Sequence, residues 1–368
     1  MQYREFGKTG KKLSALGWGL MRLPEDDGKA IEVIRWGIDL GINYLDTAPG
    51  YNNGWSERML GEAIKGYDRS QLYLSTKNPL DDDTAAGWRE RLEGSLDRIG
   101  CGYLDFYQVV HSIGWQSYEE SFAKPGGGLE AARKAQEEGL FHHMCVSCHD
   151  SPENMIRLLE TGLFEGMTLQ YNLLDRASEP AIDYAREHGL GIAVMGPVGG
   201  GRLGFPSERI SGVLPGGMVS TPEVALRFVL ANPGVTTALS GMNTIEMVEE
   251  NVAAASRAEP LTAKERRRIG QMLEENKRLA ELYCTGCNYC MPCPNNVNIP
   301  ENFRLMNLHR VWGLTDHAKR GYRRLGPEHH HGWLPASACL ECAECEPKCP
   351  QKIPIIEQLK ETAMALGE

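Results

Sequence analysis

Short apolar runs alternate along the chain with longer segments whose apolar side chains recur every third or fourth position. The first pattern suits strands buried on both faces, the second helices covered on one face. Strands are predicted at 15–19, 42–45, 72–76, 104–110, 144–146, 167–170, 192–195 and 236–240. Helices are predicted at 31–40, 88–99, 129–138, 152–161, 179–188, 222–230 and 245–255, with another opening at Ser56 as N-cap. Gly41, Gly100 and Gly139 stand where three of these helices stop. Eight strand–helix units in succession predict a right-handed parallel (β/α)8 barrel, an α/β TIM barrel.

Four of the strands end in polar side chains that the apolar pattern does not explain. The run 42–45 stops at Asp46, and Pro49-Gly50 turn the chain before Tyr51. The run 72–76 ends in Lys77, 104–110 in His111, and 144–146 in Ser147, Cys148 and His149. In a parallel barrel such ends meet on one face, where active sites lie. A phenol with a pKa near 10 exchanges its proton poorly at neutral pH. A buried lysine ammonium beside Tyr51 favours the phenolate, and Asp46 can keep that lysine charged. His111 suits steering a carbonyl or relaying the proton. The set fits hydride transfer to or from a carbonyl carbon, with Tyr51 protonating or deprotonating its oxygen. Any one of these residues alone reads as a satisfied polar strand end; four in order do not.

On these residues the chain resembles the aldo-keto reductases, over about residues 1–258. Residues 3–10, Tyr-Arg-Glu-Phe-Gly-Lys-Thr-Gly, look like the family's hairpin that plugs the barrel floor. Asp46, Tyr51, Lys77 and His111 match its catalytic tetrad. The resemblance implies an enzyme using NAD or NADP on a small carbonyl or alcohol. It puts Ser147, Cys148 and Gln170 at the nicotinamide carboxamide, with Tyr171 bordering it, and adds Gly19, Leu20 and Met21 to the cofactor contacts. The glycine-rich stretch with Gly196, Pro197, Gly199, Gly201 and Arg202 can approach a pyrophosphate closely, a flexible lid being the alternative reading. Gly241, Met242, Asn243, Glu250 and Asn251 resemble the nucleotide segment, with an Asn gripping the adenine. Cys148 stands where the family often has Asn. Gly241 and Met247 stand where much of the family has basic residues for the 2′-phosphate of NADP. Neither can neutralise a phosphate, which leans the expectation toward NAD, with NADP open and Arg202 as the alternative cation.

A chain of 368 residues can bury a large core and carry an appendage beside one barrel. Its net charge is −10 without a long Lys/Arg run, so no nucleic-acid partner is expected. No apolar stretch is long enough for a transmembrane helix, and the N-terminus has no apolar signal region. A cytoplasmic protein without membrane insertion is the expectation. Substrate determinants are expected in loops 112–124 and 204–218, where Trp115, Tyr118, Phe122 and Phe205 line a pocket or pack.

Eleven cysteines need a reason in a compartment where disulfides are rare. Cys284, Cys287, Cys290 and Cys293 follow at spacing two, two, two, then Pro294; Cys339, Cys342, Cys345 and Cys349 follow at two, two, three, then Pro350. The second run is the bacterial ferredoxin pattern for a [4Fe–4S] cluster, and the first is one residue shorter. Where two clusters share such runs, the trailing Cys serves the other cluster. That rule gives Cys284, Cys287, Cys290 and Cys349 to one cluster and Cys339, Cys342, Cys345 and Cys293 to the other. Zinc is the alternative. Cys101 and Cys145 read as core. The expected organisation is a barrel over 1–258, a connecting helix over 259–282 opened by a Thr262/Glu265 capping box, and an α-helical, ferredoxin-like dicluster domain over 283–368, with helices at 299–308 and 312–322. Nicotinamide moves two electrons and a cubane one. The clusters are then structural or serve a separate redox partner in electron transfer. The alternative is a cluster-driven oxidoreductase whose ferredoxin-type electrons reach substrate or a bound flavin in the barrel.

Overall fold

The computed structural model describes the chain except residues 80–83, 214–219, 258–260, 282–283, 285–287, 330–331, 350–351 and 368, and the side chains of 277–281. The chain divides into two compact units, residues 1–200 with 225–261, and residues 201–224 with 262–368.

The first unit opens with an antiparallel hairpin of β1 (Tyr3–Glu5) and β2 (Lys12–Ser14). The barrel strands follow: β3 (Leu16–Gly19), β4 (Tyr44–Asp46), β5 (Tyr73–Lys77) and β6 (Leu104–Gln108). The second half is β7 (Phe141–Cys148), β8 (Gly166–Gln170), β9 (Gly191–Met195) and β10 (Thr237–Ser240). All eight run parallel, and β10 closes on β3. The expected strand–helix alternation is therefore present as a closed TIM barrel. Their side chains are almost all buried, as strands sandwiched between helices and a filled interior require.

The hairpin closes the floor through Phe6, 1% exposed. A Cβ on Gly166 or Gly191 would stand 2.4 or 2.2 Å from its ring. The glycines that begin β8 and β9 thus make room for the plug. Phe6 also meets Phe106 edge to face, centroids 4.8 Å apart. Burying a side chain of this size contributes about 1.5–3 kcal/mol.

One helix start differs from the expectation. The helix Trp55–Ala63 is preceded by Gly54 at φ 75°, and Ser56 lies inside it, not at its cap. The Ser56 hydroxyl is spent inward, donating to the Leu20 carbonyl at 2.9 Å and lying 2.8 Å from Thr47 Oγ1.

In the second unit, helix Ala263–Glu281 opens with the expected capping box. Glu265 N–H donates to Thr262 Oγ1 at 3.2 Å, and Thr262 N–H to Glu265 Oε2 at 2.7 Å. Helices Ile299–Arg310, Thr315–Tyr322 and Ile355–Leu366 pack together around Phe303, Leu305, Leu314 and Leu359. The last of these helices was not expected from the sequence. The segment 201–224 belongs to this unit: Ser207 Oγ donates to the Trp312 carbonyl at 2.7 Å, and Arg209 to the Val311 carbonyl at 2.6 Å. Among the described residues, no helix is long and apolar enough to cross a membrane.

Candidate active site

Asp46 closes β4 and Lys77 closes β5, on strands that pair directly. Both side chains are 3% exposed, and Lys77 Nζ donates to Asp46 Oδ1 and, at 2.7 Å, to the Thr47 carbonyl. Ser75, two residues before Lys77 and so on the same face of β5, donates to Asp46 Oδ2 at 3.0 Å. Burial works against the Lys77 charge, yet Asp46 and Tyr51 outweigh it and hold the ammonium above its ordinary pKa. Burial raises Asp46, and Lys77 and Ser75 offset part of that rise. The pair is an ion pair that holds its proton on Lys77.

Tyr51 stands in the turn after β4, its ring centroid 5.0 Å from Lys77 Nζ. The turn is fixed from below: the Ser56–Thr47–Leu20 contacts tie it to the first loop. Glu57, fully buried, accepts from Thr76 Oγ1 at 2.7 Å and from Arg98 Nε at 2.5 Å. His111 follows β6, its backbone N–H donating to the Asn78 carbonyl at 2.8 Å. Burial, then Lys77, then His149 lower its pKa to about 4. At neutral pH it is a neutral imidazole, able to donate a hydrogen bond to a carbonyl oxygen without carrying charge. The four residues singled out by their strand ends therefore share one face. Ser75, Thr47 and His149 were not among the residues singled out as catalytic. Ser75 was legible from its two-residue spacing to Lys77; the other two needed the fold.

The remaining strand ends form the rest of the rim. Ser147 closes toward the end of β7, wholly buried, its hydroxyl without a hydrogen-bond partner among the described residues. Cys148 is buried, and burial pushes its thiol up to about 11. Gln170 ends β8 and donates to Asp175 Oδ2 at 2.6 Å; Tyr171 beside it is buried. Gly196, Pro197 and Gly199 follow β9, with left-handed φ of 62° and 60° at the two glycines. Gly201 and Arg202 fall in the second unit. Gly19 ends β3; Leu20 is buried and Met21 exposed. After β10, Met242 is buried and Asn243 exposed, while Glu250 is on the exposed face of helix Ile245–Ser256. Asn251 on the same helix is buried and donates to Ser240 Oγ at 3.2 Å. Of the expected pocket aromatics, Tyr118 and Phe122 are packed into the barrel core; Trp115 is partly exposed beneath the Arg157 guanidinium, 4.0 Å from its ring centroid.

In the second unit, one cavity is lined by Cys290, Cys293, Cys339, Cys342 and Cys345. The chain curls around it through Glu341 and Ala343, non-glycine residues at φ 56° and 61°. Such conformations cost of order 1–3 kcal/mol each and gather at functional sites. Among the described residues, no three Cys, His, Asp or Glu side chains converge as ligands of a single ion. Cys287 lies outside the described residues.

The chain belongs to the aldo/keto reductase family, whose profile matches residues 15–274; the profile of a 4Fe-4S dicluster domain matches residues 283–353. It is 27% identical over 300 residues to the uncharacterized oxidoreductase YqkF of Bacillus subtilis, spanning 72% of this chain and 94% of that protein. It is 27% identical over 305 residues to the NADH-specific methylglyoxal reductase of Escherichia coli, spanning 67% of this chain and 91% of that one. The holo form of aldo-keto reductase AKR11C1 from Bacillus halodurans superposes with a TM-score of 0.65 at 31% identity, over 74% of this chain and 96% of that one. The protein is thus an oxidoreductase-family barrel carrying an iron–sulfur domain.

Proposed function

We propose that the protein interconverts a carbonyl and an alcohol on a small molecule, using NAD or NADP, with Tyr51 as proton donor and acceptor. One observation carries the reading: a buried lysine, kept charged by a buried carboxylate, lies against the one phenol at the mouth of β4. When bound, the reduced nicotinamide supplies a hydride to the carbonyl carbon. Tyr51 gives its proton to the carbonyl oxygen, and Lys77 stabilises the phenolate left behind. Asp46 keeps Lys77 charged and in place. His111, neutral, donates a hydrogen bond that orients the oxygen. In the oxidative direction each transfer reverses. The unpartnered, buried Ser147 hydroxyl fits the carboxamide of the nicotinamide, a polar group it could satisfy at a dry strand end. The Escherichia coli relative's substrate, methylglyoxal, and its use of NADH are of the same chemical class. Replacing Tyr51 by Phe tests the assignment: turnover falls while nucleotide binding is kept.

For the second unit we propose two [4Fe–4S] clusters with crossed ligands: Cys284, Cys287, Cys290 and Cys349 on one, Cys339, Cys342, Cys345 and Cys293 on the other. The cavity shared by Cys293 and the Cys339 run supports the second set. Cys293, Cys339, Cys342 and Cys345 supply the four thiolates that a cubane's corners need, and Cys290, which lines the same space, is assigned to the neighbouring cluster by its place in the first run. The clusters contribute folding free energy to their unit and are structural or pass single electrons to a separate redox protein. Anaerobic protein should hold about eight irons and eight sulfides.

A further inference from the structure

The sequence leaves the nucleotide segment without a cation at positions 241 and 247, but the folded barrel brings one there from elsewhere. Closure of β10 on β3 pairs Ser240 with Trp18, so the loop after β10 runs beside the loop after β3. Arg22 ends the short 3-10 turn Leu20–Arg22 in that second loop. Its side chain lies across Gly241. A Cβ built on Gly241 would stand 3.3 Å from Arg22 Cδ, 3.4 Å from Cβ and 3.5 Å from Cγ. The arginine stem therefore packs against the side of Gly241 from which a side chain would extend. The head reaches onward to the glycine-rich loop, where Nη2 donates to the Gly200 carbonyl at 3.2 Å. Arg22 is exposed, and no carboxylate pairs with it among the described residues. A guanidinium has five N–H donors in a planar fork that matches two phosphate oxygens, so the single bond to Gly200 leaves most of that fork open.

We infer that Arg22 is the cation that reads the 2′-phosphate of the dinucleotide, taking the place that Gly241 leaves free, so that the protein prefers NADPH to NADH. The inference rests on the nicotinamide reading above. It revises the expectation drawn from positions 241 and 247, because the compensating charge sits 219 residues earlier in the chain and only barrel closure brings it to the site. The shared chemistry at this point is a nucleotide phosphate, either the 2′-phosphate or the pyrophosphate that both dinucleotides carry. The two sources are separated by comparing ligands that differ only in the former.

The test is equilibrium binding to the full-length, cluster-containing protein, followed by calorimetry under anaerobic conditions. The probes are NADPH, NADH, 2′,5′-ADP and 5′-AMP. The expected result for the wild type is NADPH bound tighter than NADH, and 2′,5′-ADP tighter than 5′-AMP. A charge-assisted bidentate contact predicts that Arg22→Gln weakens NADPH and 2′,5′-ADP by about 10- to 100-fold, with NADH and 5′-AMP changed by less than about 2-fold. Adding Gly241→Lys to Arg22→Gln should restore much of the NADPH affinity, since the lysine would enter the space the arginine left. Equal weakening of NADPH and NADH in Arg22→Gln would assign Arg22 to the pyrophosphate and overturn the inference. So would a wild type that binds NADH as tightly as NADPH, or an Arg22→Gln protein unchanged toward both. Failure of the wild type to bind any of the four probes would instead bring down the nicotinamide reading itself, and the inference with it.

Discussion

Asp46→Asn isolates the electrostatic core of the site. Lys77 and Asp46 are each 3% exposed. Removing one partner of a buried pair leaves an uncompensated charge and costs about 3–5 kcal/mol. Here Lys77 keeps its bond to the Thr47 carbonyl, and Ser75 can still donate to an amide oxygen at 46. Those remaining bonds put the cost at the lower end, about 3 kcal/mol. For a unit of this size that is a fall in midpoint of about 6–12 °C. Asp46→Asn combined with Lys77→Met removes the charge along with its partner, and should recover about half or more of the loss. The assay is thermal unfolding at neutral pH with hydrogen exchange read on peptides spanning β4 and β5. That readout keeps the second unit's own transition out of the measurement, since two units do not unfold as one two-state system. A single variant within about 1 kcal/mol of the wild type, or a double variant no better than the single, would refute the claim that a buried ion pair holds this site.

Two further outcomes follow from the geometry. His111 has a folded pKa of about 4 against an ordinary 6.5, so the unfolded chain takes up a proton that the folded one refuses between those values. Its contribution is full above about pH 6.5 and is lost as pH falls toward about 4. Denaturant midpoints should therefore decline more steeply with acid in the wild type than in His111→Gln; equal slopes would contradict the assignment. Cys293→Ala should damage the cluster held by Cys339, Cys342 and Cys345, and Cys349→Ala the other, as resolved by Mössbauer spectroscopy. Selective loss of the Cys284 cluster in Cys293→Ala would overturn the crossed arrangement, and zinc in place of iron would overturn the domain's reading.

The barrel strands were legible because each is a short apolar run closed by a turn residue, and the ends of β4, β5 and β6 because an ionisable group there breaks an otherwise apolar run. The helix at Trp55 was misread at its start. Ser56 has the composition of an N-cap, but its hydroxyl is used across the fold on Thr47 and Leu20, and Gly54 makes the left-handed step instead. The helix Ile355–Leu366 was not anticipated from the sequence; Pro354 stands at its N-cap. The excursion 201–224 was assigned to the barrel by adjacency in sequence, whereas Ser207 and Arg209 bond to the end of helix Ile299–Arg310 and the turn beyond it. Arg22 could not be seen at all: its side chain meets Gly241 only because β10 closes on β3.

The most direct test of the account is a single turnover of reduced nicotinamide, bound to the anaerobic protein and mixed with a panel of small aldehydes and ketones. Wild type and Tyr51→Phe are followed side by side, with nucleotide affinity measured for each. The account predicts that the wild type oxidises the nucleotide with at least one carbonyl. Tyr51→Phe should bind the nucleotide equally well but react about 100- to 10,000-fold more slowly, the span expected for loss of a positioned general acid. Turnover in Tyr51→Phe at the wild-type rate, or nucleotide oxidation that proceeds through cluster reduction with no carbonyl consumed, would contradict it.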